Sequence, residues 1–120
     1  MDNINLIELV NSDNWNLLYE TDKKMIVYFT AKWCGPCKKI LPLFMELSSQ
    51  FKDILFLKID VDEFGEICEE MDISCMPTFL FIKSKKEVYR LEGGDEDNFK
   101  KYTSIFNEFS DVVDSNNNLY

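Results

Sequence analysis

Trp33-Cys34-Gly35-Pro36-Cys37 decides how this chain is read. Before it runs an apolar stretch, Met25 to Ala31, and after it a helix-patterned segment that reaches Phe51. Two cysteines separated by two residues, between a strand and a helix, read as a redox pair. Cysteines three apart on a first helical turn share a face, with Cβ atoms roughly 5–6 Å apart. A disulfide needs about 3.5–4.5 Å, so a small adjustment of that turn lets the bond open and close. Pro36 suits the first turn, where a missing N–H costs nothing, and Gly35 keeps the approach uncrowded. Cys34 would stand at the helix N-terminus, where unpaired N–H groups and the dipole favour a thiolate. Cys34 therefore reads as the attacking thiol and Cys37, one turn on, as the resolving one.

Working outward, Met25-Ile26-Val27-Tyr28-Phe29 has the continuous apolarity of a central strand covered on both faces. Cys37, Ile40, Leu41, Phe44, Leu47 and Phe51 recur at helical spacing, and Pro42 is expected to kink that helix without ending it. Ile54 to Asp60 is the next strand, giving a right-handed βαβ unit. Phe64, Ile67, Cys68 and Met71 mark a short helix with its acids outward. After Cys75-Met76-Pro77-Thr78 comes a strand, Phe79 to Lys83, then a turn and an alternating hairpin strand, Glu87 to Leu91. Gly93-Gly94 breaks it, and Asp95 caps a last helix carrying Phe99, Tyr102, Phe106 and Phe109, drawn as far as Val113. At the other end, Ile4 to Val10 reads as a short strand, and Ser12 as the N-cap of a helix with Trp15, Leu18 and Tyr19 inward. The order β-α-β-α-β-α-β-β-α implies an α/β domain, a mixed sheet covered by helices, over residues 1–113. An Asn-rich tail, 114–120, is expected to fray.

Composition sets limits on function. The 120 residues suit one domain, and 46% hydrophobic content excludes a disordered chain. Lys and Arg number 13 against 22 Asp and Glu, a net charge of −9, which argues against nucleic acid as a main partner. Asp60, Asp62, Glu63, Glu66, Glu69, Glu70 and Asp72 concentrate that charge, whereas Lys32, Lys38 and Lys39 flank the cysteines. The acidic run reads first as a solvated face and second as a flank that steers basic partners. No apolar run approaches the ~20 residues of a membrane span, and Met1-Asp2-Asn3 does not begin a charged-then-apolar leader. A reducing cytoplasm is the expected compartment. There a Cys-x-x-Cys pair is catalytic or metal-binding rather than structural.

From about Lys24 to Phe109 the chain resembles the thioredoxin family, on two separated motifs. Trp33-Cys34-Gly35-Pro36-Cys37-Lys38 matches its active-site signature, and Met76-Pro77-Thr78 lies where the family has a proline after a cis peptide bond. Gly93 falls where the family has a glycine in its substrate groove. The resemblance implies the thioredoxin fold, a five-stranded mixed sheet flanked by four helices. It also implies a redox-active Cys34–Cys37 disulfide and protein-disulfide reduction by dithiol–disulfide exchange, serving cell redox homeostasis. Gly35 and Pro36 would belong to the catalytic turn, with Trp33, Met76, Pro77, Thr78 and Gly93 receiving an extended segment of a disulfide-containing protein. No bound cofactor and no metal is implied. Electrons would come from NADPH through an external thioredoxin reductase.

One departure concerns the proton of Cys37. Family members usually carry a buried aspartate where this chain has Tyr28, and a phenol is a poor base at neutral pH. Lys58 thereby loses its expected partner. Resolution by Cys37 is expected to be slow or to rely on water or another acid, and Tyr28→Asp to speed it. Thr30 stands where some members have a tryptophan, with little consequence.

Other readings compete. Cys34 and Cys37 could form half a zinc site with Cys68 and Cys75, but zinc sites pair two close-spaced couples and the latter two do not. Cys68, among Phe64, Ile67 and Met71, reads as a core thiol. Cys75 reads as a plain exposed thiol; the resemblance also implies a regulatory one, since some family members have a cysteine in the matching place able to bridge two molecules of an otherwise monomeric protein. A binding module or complex subunit with weak redox activity is the alternative from another class. An oxidase or isomerase is a third, disfavoured by Gly35-Pro36.

Overall fold

The computed structural model describes residues 4–109. Its elements are β1 (Leu6–Glu8), α1 (Ser12–Tyr19), β2 (Lys24–Thr30), α2 (Gly35–Gln50), β3 (Ile54–Asp60), α3 (Gly65–Glu70), β4 (Thr78–Lys83), β5 (Lys86–Glu92) and α4 (Glu96–Glu108). They form a five-stranded sheet ordered β1-β3-β2-β4-β5, a spatial order that pattern alone does not provide. The first three strands are parallel; β4 runs antiparallel to β2, and β5 to β4. The expected mixed sheet with four helices is therefore present. Expected extensions to Val113 and the 114–120 tail fall outside the described residues.

The apolar run of β2 is buried on both faces, and its alternation splits the core in two. Ile26 and Tyr28 face Cys37, Ile40, Phe44 and Leu47 of α2 and Phe99 and Phe106 of α4. Met25, Val27 and Phe29 face Trp15 of α1 and Ile67 of α3. Aromatic rings fill the first layer: Tyr28 and Phe79 lie 4.9 Å apart, Phe79 and Phe99 4.3 Å. α2 runs unbroken through Pro42, because the stripe on either side of that residue stays buried.

Boundaries differ from the sequence reading where polar side chains compete. Asn11, not Ser12, caps α1, its Oδ1 accepting the Asn14 N–H at 2.9 Å. β4 begins at Thr78, fully buried against the sheet. Asp95 does cap α4, accepting from the Asn98 N–H at 3.0 Å.

Asn5 ties β1 to the far end of α2. Its buried amide lies within donating distance of the carbonyls of Ser48 (2.8 Å), Phe51 (3.2 Å) and Ile54 (2.9 Å). Its own carbonyl accepts the Phe56 N–H at 2.7 Å. These contacts bring one buried donor group to the carbonyls at the end of α2 and at the start of β3. Asn5→Ala removes it, and we expect a loss of about 2 kcal/mol, read as a lower urea midpoint at unchanged slope.

Candidate active site

β2, the central strand, ends at Thr30, and a short turn beyond it starts α2. The Cys34 N–H donates to the Ala31 carbonyl at 3.1 Å, and Cys34 becomes the N-cap of the helix. Its sulfur accepts the Cys37 N–H at 3.2 Å, so the helix end does donate towards it. Cys34 and Cys37 form a disulfide with Cα atoms 5.3 Å apart. Both are buried, Cys37 (1% exposed) more than Cys34 (4%). Gly35 has open space around it. Trp33 is 66% exposed beside this pair, which places it on the rim rather than in the core. Its indole N–H donates to Asp62 at 3.0 Å, and the Asp62 N–H donates to Asp60 at 2.9 Å. Asp62 was visible in the sequence only as part of the acidic run.

A second loop faces the first. The Met76–Pro77 bond is cis. The Pro77 carbonyl accepts the N–H of Gly93, whose φ of +107° is one that side chains rarely adopt. A Cβ on Gly94 would rest 3.5 Å from the Pro36 carbonyl oxygen and 3.7 Å from Pro77 Cγ. Gly94 thus sits where the two proline loops meet, although its sequence signal was only that of a strand breaker. Thr78 donates its hydroxyl to the Cys75 carbonyl at 2.7 Å. Cys75 is half-buried, with its sulfur 3.6 Å from that hydroxyl, and is less open than the expected exposed thiol. Cys68 is half-buried too; burial, then the nearby Asp60 and Asp62, push its thiol pKa up. That keeps it protonated and poorly nucleophilic. Among the described residues no group of three or more His, Cys, Asp or Glu gathers in a metal-binding arrangement.

The space behind Cys37 differs from the sequence expectation. Tyr28 donates its hydroxyl to the Cys37 carbonyl at 2.5 Å, and its ring packs on Phe44 and Phe79. Burial pushes the phenol pKa up, a hydrogen bond with Thr30 opposing it, so Tyr28 serves as a donor and not as a base. An aspartate at this position would lie against those rings, an added cost to any gain in rate from Tyr28→Asp. Lys58, expected to lack a partner, has one: its Nζ lies 3.3 Å from Glu8 of β1.

The Thioredoxin family model matches residues 6–104. A thioredoxin H-type of Picea mariana is 46% identical over 82 residues, 68% of this chain and 66% of that protein, slightly under two thirds of its length. Thioredoxin-1 of Caenorhabditis elegans is 41% identical over 98 residues, 81% of this chain and 85% of that one. The crystal structure of thioredoxin NaTrxh from Nicotiana alata superposes with a TM-score of 0.80 at 36% identity, covering 85% of this chain and 92% of that one.

Tyr28→Phe should lower stability at neutral pH by about 1 kcal/mol, the net worth of one buried hydrogen bond. A folded-state phenol pKa raised above 10.0 makes this contribution full below that pH and erodes it as pH rises through the shifted value. The two proteins' unfolding midpoints should therefore converge in alkaline solution.

Proposed function

The chain belongs to the thioredoxin family, and on that premise we propose that it is a protein-disulfide reductase working by dithiol–disulfide exchange. The observation that carries the reading is the Cys34–Cys37 disulfide, with the Cys34 sulfur at the cap of α2 receiving a backbone N–H. Unpaired N–H groups of the first turn favour negative charge on Cys34 once the bond is reduced. The Cys34 thiolate attacks a partner disulfide; one partner sulfur leaves as thiolate, and a mixed disulfide remains. Cys37 then loses its proton, attacks the Cys34 sulfur and expels the second partner sulfur. Two electrons and two protons pass to the partner, and the Cys34–Cys37 bond is restored. A 5.3 Å Cα separation allows that closure with little backbone movement.

Trp33, Met76 and Gly93 provide the surface for a partner's extended segment, around the rim of the sulfur pair; Pro77 and Thr78, expected there too, are buried and shape that surface from beneath. Gly35 and Gly93, each with open space where a side chain would stand, leave room for a backbone to approach. A separate thioredoxin reductase drawing on NADPH resets the pair, and the working form is a cytoplasmic monomer. No helix among the described residues is long and apolar enough to cross a membrane. The binding-module alternative finds no support in the site, where both thiols meet at bonding distance.

The test couples the protein to thioredoxin reductase and NADPH and follows reduction of a protein disulfide. Cys34→Ser should abolish turnover. Cys37→Ser should react once and accumulate a mixed disulfide visible by mass. Turnover that survives in Cys34→Ser, or none in the wild type, would overturn the reading.

A further inference from the structure

The loop that brings Met76 to the rim is held at both ends from one edge strand. Residues 73–77 join α3 to β4 without regular structure. At the exit, Gly93, just beyond β5, donates its N–H to the Pro77 carbonyl at 2.8 Å. At the entry stands Arg90 of β5, paired opposite Leu80. Its guanidinium donates to the Met71 carbonyl at 2.7 Å and to the Asp72 carbonyl at 2.9 Å. Glu87 grips the same group, its two carboxylate oxygens accepting at 2.9 and 3.1 Å. A planar fork with five donors can bridge a carboxylate and two carbonyls in this way, whereas an ammonium presents only a point charge. The chain needs that hold, because it leaves the six-residue α3 through Asp72 at φ +56°, a left-handed conformation that favours glycine.

Between the two anchors, the Met76 N–H and carbonyl take no backbone partner among the described residues. A loop already fixed in one conformation offers such groups to an extended segment with little further ordering cost. Resting on the exchange reading and its docking role for Met76, we propose that Arg90 is a positioning residue for partner capture. By fixing Met71 and Asp72, it keeps the Met76 peptide groups where the partner's segment meets them. Its four bonds go to the loop entry and to Glu87, so it acts on docking and leaves the sulfur chemistry alone.

The test compares two substrates of the full-length chain. Insulin serves as the protein disulfide, with thioredoxin reductase and NADPH in excess. A small aromatic disulfide that releases coloured nitrothiobenzoate reports attack by Cys34 without docking along the loop. Arg90→Met should raise KM for insulin about fivefold, the factor expected when the docking-competent loop is populated about a fifth of the time. Both kcat and the first nitrothiobenzoate release of the reduced protein should stay unchanged. Arg90→Lys keeps the charge but loses the fork, and its KM should remain close to that of Arg90→Met. Glu87→Gln leaves the guanidinium in place with a weaker grip and should raise KM by a smaller factor, a readout that stands even where Arg90→Met fails to fold. An insulin KM unmoved in either variant, an equal fall in both reactions, or full recovery in Arg90→Lys overturns the proposal. No insulin turnover by the wild type would instead bring down the exchange reading itself.

Discussion

Burial of β2 on both faces is the constraint on which the site depends. Ile26, Val27 and Phe29 have no exposed surface, so the strand can neither slide nor rotate without losing one core or the other. The end of β2 is thereby held in place, and α2 springs from it after a four-residue turn. The sulfur pair inherits its position from a strand that has no freedom to move. Phe44, Phe79 and Phe99 then clamp α2 and α4 to the same layer, so the helix that presents Cys34 is fixed along its length.

Electrostatics around the pair are divided by depth. At the rim, an exposed indole is oriented by a carboxylate of the acidic run, with Lys32 beside it in the chain. Behind the pair, a phenol takes the place of an ionisable acid and is used up in holding the Cys37 carbonyl. Charge returns further out, in the Glu8–Lys58 pair joining edge strand β1 to β3 and in Lys32, Lys38, Asp60 and Glu63 around the cavity behind Cys37. The deep side of the pair is thus neutral and hydrogen-bonded, and its nearest titratable carboxylates stand at the cavity wall.

Much of this was legible in the residues. Periodicity located all nine elements, because each strand or helix buries a face and leaves a pattern of 2 or 3.6. The helix end bearing Cys34 followed from Gly35-Pro36 and the apolar stripe behind them. What stayed hidden depends on distant pairing. Asn5 looks like a strand residue until α2 returns to meet it, 43 positions later in the chain. Glu8 is one acid among 22 until the order β1-β3-β2 sets it beside Lys58. Gly94 gains its place only when the two proline loops face each other. The N-cap of α1 was misplaced by one residue because Asn11 and Ser12 are both good caps and local sequence does not choose between them.

The two tryptophans occupy opposite extremes of environment. Trp15 is 2% exposed in the layer beneath α1, and Trp33 is 66% exposed beside the sulfurs. Their light emission should accordingly separate: a blue component shielded from acrylamide and a red component open to it. The first can change only when the fold itself is lost, whereas the second is covered whenever another chain lies across the rim. A single spectrum thus carries its own internal reference for telling docking from denaturation.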